Sequence, residues 1–286
     1  MEILRLHGPL DEVLSDPVIV VCLDGWTDAG RAGTIAGETL QEQWHGRPIA
    51  DFGPDVLYDY RDRRPLLTID RGVLGDPVWP ELTVSQNTTP NGRDVILVQG
   101  AEPDFSWQQI CADLVELAEV SGARRYIGLG AVPGPTPHTR STRLVVTASD
   151  EDVLQRYGRP HEHLTVPASC QVVLETAFRD AGLQTLGLWA RIPHYVAGEY
   201  PAGAHALLSH LASELGEDID LSEIVADTER HRRRLDEAAQ SSTEIVAHIH
   251  QLEEVYDQDL ADESGFGPIP SGDEIAAELE RFLRGQ

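Results

Sequence analysis

Polar side chains that can carry out acid–base or binding chemistry follow four apolar runs of the sequence. The candidate cleft or interaction residues are Asp24, Gly25, Trp26, Asp28, Gly30, Glu102, His138, Arg140, His194 and Tyr195. Carboxylates and imidazoles that share a cleft can act as general acids and bases. The set suited to this role is Asp24, Asp28, Glu102 and His194. The competing interpretation, which we favour, is structural: the two aspartates cap their turn, and the glutamate caps the next helix.

The complete motifs of cofactor and nucleophile sites are missing from the sequence. The turn after the first apolar run has Gly25, Gly30 and Gly33 in a GxxxxGxxG spacing, which departs from the dinucleotide-binding GxGxxG. A P-loop requires a lysine, and this chain has none; the GxSxG of a nucleophile elbow is absent as well. We therefore expect no cofactor and assign no catalytic residue.

Cysteines and histidines give little support for a thiol or metal centre. Cys22, Cys111 and Cys170 form no CxxC pair, which favours a reducing compartment without structural zinc. Cys170 begins a predicted helix, where a thiol pKa can fall, but a buried structural thiol is the favoured interpretation. The close histidine pairs, His161-x-His163 and His248-x-His250, do not make a metal site, because residues i and i+2 of a helix point apart and the first pair favours an exposed loop.

The composition excludes several classes of partner. The chain has 286 residues with 48 acidic and 22 basic side chains, which gives a net charge of -26. Its one dense basic run is residues 230–234, so neither nucleic acid nor an anionic membrane is expected as a partner. No apolar run reaches about 18 residues, and the first residues do not resemble a signal peptide, so we expect a cytoplasmic protein.

Helices and strands alternate along the first three quarters of the chain. This order predicts an α/β fold with a mostly parallel sheet covered on both faces. Ligands of such sheets bind beyond the carboxyl ends of the strands, where the polar residues above would gather. Residues 45–93 interrupt the alternation of helices and strands, and we expect an antiparallel excursion or an edge hairpin there. The expected strands are 18–23, 94–99, 125–130, 144–148 and 186–192; the expected helices are near 28–44, 107–120, 150–157, after 167, and 203–215.

The sequence pattern becomes helical and polar near residue 218. We therefore expect an α/β domain over 1–217 and an acidic helical extension over 218–286. Residues 217–286 hold 19 acidic residues and 6 arginines, a net -13. The apolar seam of this segment is Leu235, Ala238, Ser242, Ile245, Ile249, Leu252 and Tyr256. The seam fits either a coiled coil or, as we favour, a helix or helical hairpin packed on its own domain. The acidic surface fits either solvated helix faces, which we favour, or a basic protein partner.

Four segments together resemble the proteasome assembly chaperone 2 family, in particular its bacterial and archaeal branch. They are VIVVCLDGWTDAGRAGTIAGETL, ILVQGAEPDFSW, YIGLGAVPGPTPHTR and LWARIPHYVAGEYPAGAHALLSHL, and the likeness covers about residues 15–215. The resemblance implies a three-layer α/β/α sandwich similar to the nucleoside phosphorylase-like fold, with a C-terminal helical extension typical of long bacterial forms. Archaeal relatives can end in a hydrophobic–Tyr–any tripeptide that docks on the proteasome; this sequence ends Arg284-Gly285-Gln286, so that docking mode is not expected.

The resemblance also implies a function and partners. Family members are generally not enzymes, the eukaryotic ones are chaperones for proteasome α-subunits, and prokaryotic relatives tend to be homo-oligomers. We therefore expect a non-catalytic protein-binding or assembly factor that self-associates, with proteasome α-subunits as the candidate partner. The alternative is a small-molecule hydrolase or phosphorylase that uses the polar loops at the strand ends.

Overall fold

The computed structural model describes residues 1–8, 14–157 and 164–262. The strands in this part of the chain are β1 (Leu4–Leu6), β2 (Val18–Asp24), β3 (Arg47–Phe52), β4 (Ile69–Asp70), β5 (Val73–Leu74), β6 (Leu82–Thr88), β7 (Asp94–Ala101), β8 (Arg125–Gly134), β9 (Leu144–Ala148) and β10 (Gln184–Pro193). The helices are α1 (Ala32–Trp44), α2 (Pro54–Leu57), α3 (Trp107–Ser121), α4 (Glu151–Tyr157), α5 (Cys170–Asp180), α6 (Pro201–Leu215), α7 (Ser222–Ala239) and α8 (Thr243–Asp262).

The strands form one eight-stranded sheet and one small two-stranded sheet. The large sheet has the order β1-β3-β6-β7-β2-β8-β10-β9, and β4 pairs with β5. Strand β2 is parallel to β7 and β8, whereas β1, β3, β6 and β7 pair with one another in antiparallel fashion. The sheet is therefore mixed, and the predicted α/β fold class is confirmed.

Packing divides the chain into two compact units. The first contains Met1–Thr27, Gly37–Leu129 and Ala168–Gly187, and the second contains Asp28–Ala36, Gly130–Pro167 and Leu188–Gln286. Each unit is described separately below. No helix among the described residues is long and apolar enough to cross a membrane.

In the first unit, β2 is the buried centre of the parallel pairing. Its residues Val18 to Leu23 are all at most 2% exposed, which explains the uninterrupted apolar run in the sequence. The register pairs Val18 with Val95 and Asp24 with Ala101. Because the two strands are parallel, the turn after β2 and the turn after β7 leave the sheet side by side.

The irregular segment between α1 and β7 supplies antiparallel strands, as predicted. Strand β3 pairs with β6, and β6 pairs with β7 through a register that runs from Leu82–Gly100 to Thr88–Asp94. Leu82 and Val84 on β6 are fully buried, and Thr83 between them is partly exposed. This alternation is typical of an antiparallel strand with one face on the core.

Strand β8 is longer than the sequence predicted. The strand was expected over 125–130, but it continues through Pro133 to Gly134. The carbonyl of Gly134 accepts a hydrogen bond from the N–H of His194 at 3.2 Å. Gly134 therefore keeps a backbone partner although it follows a proline.

In the second unit, the C-terminal region contains two helices rather than one. Helix α7 ends at Ala239 and α8 begins at Thr243, so the apolar seam is interrupted by a turn. Ile249, Leu252 and Tyr256 of the seam are buried within the unit. This arrangement favours the packed helical hairpin over a continuous coiled coil. The expected Gly/Pro linker at 264–270 and the helix from 271 lie outside the described residues, and the domain boundary at 217/218 stays a prediction.

A buried carboxylate attaches the first strand to α3 in the first unit. Asp113 is 1% exposed, and its oxygens accept hydrogen bonds from the N–H groups of Glu2, Ile3 and Leu4, each at 2.7 Å. Burial alone would raise the pKa of this carboxyl, but the hydrogen bonds from these backbone groups outweigh it and hold the pKa below its usual value.

We expect Asp113→Asn to lower the free energy of unfolding by about 2 kcal/mol, because a neutral amide is a weaker acceptor than a carboxylate for three N–H donors. The lowered pKa means that the stabilisation is present above the unfolded-state pKa of aspartate and is lost as pH falls through the folded-state value. Urea titrations at pH 7 and at acidic pH measure both effects. Glu119→Gln, on the exposed side of the same helix, is the control. Equal midpoints for the two variants at pH 7 would contradict the prediction.

Candidate functional site

The candidate residues fall into two groups, one in each unit. Those in the first unit are Asp24, Gly25, Trp26 and Glu102; those in the second are Asp28, Gly30, His138, Arg140, His194 and Tyr195.

In the first unit, Glu102 joins the turn after β2 to the start of α5. One carboxylate oxygen accepts the N–H of Trp26 at 2.9 Å, and the other accepts the N–H of Cys170 at 2.7 Å. The N–H of Glu102 in turn donates to the carbonyl of Asp24 at 2.7 Å. The expectation that Glu102 caps the helix after its own strand, α3, was wrong, because the parallel register places it beside the β2 turn. Its carboxylate serves structure, which leaves it poorly suited to acid–base chemistry.

The other members of this group support the same turn. Gly25 has a φ of 147°, and a Cβ there would lie 2.6 Å from the Glu102 carboxylate, so no larger residue fits. The carboxylate of Asp24 forms an ion pair with Arg63 at 3.0 Å. The Trp26 side chain is 68% exposed and offers an apolar surface for binding.

The thiol of Cys170 is not activated by its position at the start of α5. The residue is fully buried, and burial is the main reason that the pKa of its thiol lies well above the usual value. Burial likewise raises the pKa of Cys111 to about 11. Both residues therefore behave as small apolar core side chains, as the favoured interpretation of the sequence held.

In the second unit, Asp28 occupies the anion position at the start of α1. Its carboxylate accepts the N–H of Gly33 at 2.7 Å, and it also accepts the N–H and the hydroxyl of Thr34. These are the donors that a bound phosphate would use at a helix N-terminus. The predicted capping role of Asp28 is therefore confirmed, and a phosphate cradle at this turn is not supported.

Gly30 allows the start of α6 to approach the same turn. Its φ is 62°, and a Cβ there would lie 2.7 Å from the Cβ of Tyr200. The N–H of Tyr200 donates to the carbonyl of Gly30 at 2.8 Å. Gly30 is thus a close-packing residue rather than a ligand-binding one.

His138 lies in a hydrogen-bonded chain between Tyr195 and Asp236. The Tyr195 hydroxyl accepts the His138 backbone N–H at 2.8 Å, so its one proton is free to be donated to the ring Nδ1, also at 2.8 Å. The ring then carries its proton on Nε2, which faces the Asp236 carboxylate at 3.2 Å. The sequence did not single out Asp236, because it lies about a hundred positions away on α7.

Arg140 connects the segment after β8 to α8. Its guanidinium makes paired contacts with Asp257, at 2.9 and 2.8 Å, and a third with Glu253 at 3.0 Å. Nearby, Arg143 lies 4.1 Å from the ring centre of Tyr256, which adds a cation–π contact. Part of the negative charge of the C-terminal helices is therefore neutralised inside the unit.

His194 contacts a histidine of α8. The two rings, of His194 and His248, lie edge to face at 5.6 Å, and the ring Nδ1 of His194 lies 3.3 Å from the carbonyl of Gly134. The neighbouring His250 instead faces Glu253 at 2.9 Å, so the two α8 histidines point apart as predicted. Within the described residues no group of histidine, cysteine or carboxylate side chains is arranged to hold a metal ion, and His161 and His163 lie outside them.

A cavity of about 370 Å³ opens in the second unit between residues 138–142, α6 and α7. Its polar lining is formed by His138, Thr139, Arg140, Ser141, Thr142, Tyr200, His205, Ser209, His210, Thr228, His231 and Arg232. No acidic side chain of the described residues lines it, but the two arginines are already paired with acidic residues. The lining therefore offers hydroxyl and imidazole hydrogen bonds rather than a strong net positive charge.

The chain is similar to a known protein family and to several solved structures. The PAC2 family model matches residues 22–239. A Mycobacterium tuberculosis protein of unknown function is 30% identical with a TM-score of 0.85, and the match covers 91% of this chain and 90% of that chain. A PAC2 family protein from Streptomyces avermitilis is 31% identical with a TM-score of 0.74, covering 82% and 99%.

A third solved structure carries a functional description. It is a proteasome-assembly chaperone homologue from Mycobacterium tuberculosis, 28% identical with a TM-score of 0.76, and the match covers 81% of this chain and 99% of that chain. No curated protein sequence matches the chain significantly.

The contact between Gly25 and Glu102 can be tested by a single methyl group. We expect Gly25→Ala to lower the free energy of unfolding by about 2–3 kcal/mol, because the new Cβ displaces the carboxylate and strains the backbone at positive φ. Gly92→Ala is the matched control, since Gly92 also has positive φ but nothing within 4 Å of a Cβ. Urea unfolding followed by circular dichroism measures both variants. If the two lose the same stability, the close approach to Glu102 is unimportant.

The surroundings of His138 in the second unit predict that the stability of the protein depends on pH. Burial is the main cause that lowers the pKa of His138, and the hydrogen bond to Asp236 partly opposes it. The unfolded chain therefore binds a proton at His138 more readily than the folded protein does. The contribution of this residue to the free energy of unfolding is full above about pH 6.5 and is lost as the pH falls through that value towards the folded-state pKa.

When the pH is lowered from 7.5 to 5, we expect the free energy of unfolding to decrease less in His138→Asn than in the parent protein. The asparagine keeps an acceptor near the Tyr195 hydroxyl but does not titrate. His45→Asn, at an exposed position, is the control. Urea midpoints at the two pH values give the slopes, and an unchanged slope for His138→Asn would disprove the assignment.

Proposed function

This chain belongs to the PAC2 family, and we propose that it is a non-catalytic protein-binding factor that acts in proteasome assembly, with proteasome α-subunits as its partner. The observation that carries the proposal is the similarity over 81% of the chain to a proteasome-assembly chaperone homologue. A chaperone of this kind works by binding, so it requires an exposed recognition surface and no reactive centre.

The state of the carboxylates supports a binding role. Both oxygens of Glu102 accept backbone N–H groups, those of Asp28 hold the start of α1, and Asp24 pairs with Arg63. General acids and bases need a free oxygen directed at the substrate, whereas these groups are already engaged by their own units. The proposed hydrolase or phosphorylase alternative is therefore less well supported.

The surface of the C-terminal helices is the part of the second unit best suited to a basic partner. Exposed carboxylates there include Glu223, Glu229, Glu237, Glu244 and Glu254. Helix α8 carries six acidic side chains and no arginine, whereas α7 carries four arginines beside its acidic residues, so the more uniform negative charge lies on α8. Such charge accelerates the approach of an oppositely charged protein and makes binding sensitive to salt.

The test is capture of proteasome α-subunits by the full chain. We expect α-subunits to be retained at about 0.15 M salt and retained less at 0.5 M, because exposed charges are screened over shorter distances at the higher salt. Free β-subunits and an unrelated bait of similar negative charge are the controls, and quantitative immunoblotting is the measurement. Absence of α-subunits at both salt concentrations, in a host that has a proteasome, would rule the proposal out.

A further inference from the structure

The cavity of the second unit lies between one face of α6 and one face of α7. The lining residues of each helix recur at intervals of three and four positions, which places them on a single side of that helix. Two packed helices normally fill the space between them with large apolar side chains. Here the α6 side contributes the small residues Ala202 and Ala206, and about 370 Å³ stays open. This volume suits a small molecule, since ligand pockets range from about 300 to 1,000 Å³.

The lining of the cavity reverses the charge balance of the chain. Acidic residues hold 48 of the 286 positions, but no carboxylate of the described residues lines the cavity. Four of the eleven histidines line it: His138, His205, His210 and His231. The arginines there are paired with carboxylates outside the lining, so the imidazoles are the groups left to meet a ligand. A cation would find no carboxylate in this wall, whereas an anion meets no repulsion from one.

Three of these imidazoles have ring nitrogens available to a ligand. The Nδ1 of His210 donates to a carbonyl one turn earlier in α6 at 2.8 Å, which leaves its Nε2 for the cavity. The ring of His231 packs edge to face against Tyr200 at 5.7 Å. Neither this ring nor that of His205 has a hydrogen bond to another described residue. His138 differs, because both of its ring nitrogens are already engaged.

The wall also holds a buried hydroxyl without a partner. The Oγ1 atom of Thr228, on the α7 side, is buried and has no hydrogen-bond partner among the described residues. Buried hydroxyls are normally hydrogen-bonded, because an unpaired one has lost its water without replacement. Hydrogen bonds from a hydroxyl to an anionic oxygen are among the strong ones. Independently of the imidazoles, this atom therefore favours a ligand that carries an acceptor oxygen.

The surroundings of His231 favour a negative charge in the cavity. Burial is the main cause that lowers the pKa of its imidazole, and Arg234 and His138 lower it further. The other ionisable groups in the lining are Tyr200, His205, His210, Arg140 and Arg232. The carboxylates behind the wall contact Arg140, Arg232 and His138 instead of this ring; they are Glu229, Asp236, Glu253 and Asp257.

An anion among these groups would stabilise the protonated form of the imidazoles. The complex would then hold more protons than the free protein, so binding is expected to tighten as the pH falls.

We propose that this cavity binds a small organic anion, a carboxylate or a phosphate ester, through His205, His210, His231 and Thr228. The two classes share an oxygen anion, which accepts hydrogen bonds from imidazolium and hydroxyl groups. The proposed role in proteasome assembly rests on an exposed protein-binding surface, so the anion site goes beyond that role and does not depend on it.

Isothermal titration calorimetry of the full chain at low salt measures the binding directly. The probes are sulfate, in place of a phosphate group, and butyrate as a carboxylate; both keep their charge between pH 6 and pH 8. We expect at least one probe to bind, with an affinity about tenfold higher at pH 6 than at pH 8, because histidines take up protons near pH 6.5. The probe that binds more tightly identifies the class of anion. No binding of either probe at pH 6, or equal affinity at the two pH values, would overturn the inference.

Substitutions separate this cavity from other cationic surfaces. The double variant His205→Gln and His231→Gln keeps neutral hydrogen-bonding groups but cannot gain protons, so the affinity at pH 6 should fall about tenfold and most of the pH dependence should disappear. Ala202→Leu fills part of the cavity without a change of charge and should weaken binding at both pH values. Urea midpoints at pH 8 show that each variant is folded.

The matched control is His45→Gln, which alters an exposed histidine outside the cavity and should bind the probe as the parent protein does. An affinity that is unchanged in either the double variant or Ala202→Leu would place the anion elsewhere and contradict the inference.

The anion site and the proposed function fail separately. The titration needs only this chain, whereas the proposed function is tested by capture of α-subunits. A chain that retains α-subunits but binds neither probe loses this site and keeps its proposed role. A chain that binds a probe but captures no α-subunit loses the proposed role and keeps the site.

Discussion

The parallel pairing of β2 between β7 and β8 is the constraint on which the first unit depends. Six consecutive apolar residues of β2 are withdrawn from water, and their register with β7 decides which turns become neighbours. One consequence is that Glu102 meets the backbone of the β2 turn and of α5 at once. Gly25 is required there because the carboxylate leaves no room for a side chain. The polar residues at this turn thus connect the β2 turn to α5. This structural role explains why acid–base residue types occur there without a catalytic arrangement.

Several carboxylates in this protein satisfy backbone N–H donors. Asp113 accepts the N–H groups of Leu4 in the first strand and of the two residues before it, and Asp28 holds the first turn of α1. Hydrogen bonds to an ionised acceptor are roughly twice as strong as neutral ones, so a few buried acids can fix the ends of several elements. Among the described C-terminal helices, the surplus of acidic residues is concentrated on α8, which carries six acidic side chains and no arginine.

The carboxylates of the C-terminal helices are partly engaged inside their own unit. Asp236 accepts a hydrogen bond from the ring of His138, and Glu253 and Asp257 form ion pairs with Arg140. The charge that these helices present to a partner is therefore smaller than their acidic residues alone would give.

The amino-acid sequence by itself indicated the family through the resemblance of four of its segments. It also determined the α/β class and the order of most elements, because apolar periodicity and turn residues are local signals. Residues 18–23 predicted a buried strand, and the interruption of the alternating pattern at 45–93 predicted the antiparallel strands that were found. Only the tertiary structure decided what the polar residues contact. Glu102 serves α5 rather than α3, and His138 meets Asp236, because these partners lie far apart in the chain and are brought together by strand register and helix packing. The exposure of residues 66–79 was also invisible in the sequence, since an apolar hairpin has the same pattern whether its faces are covered or exposed.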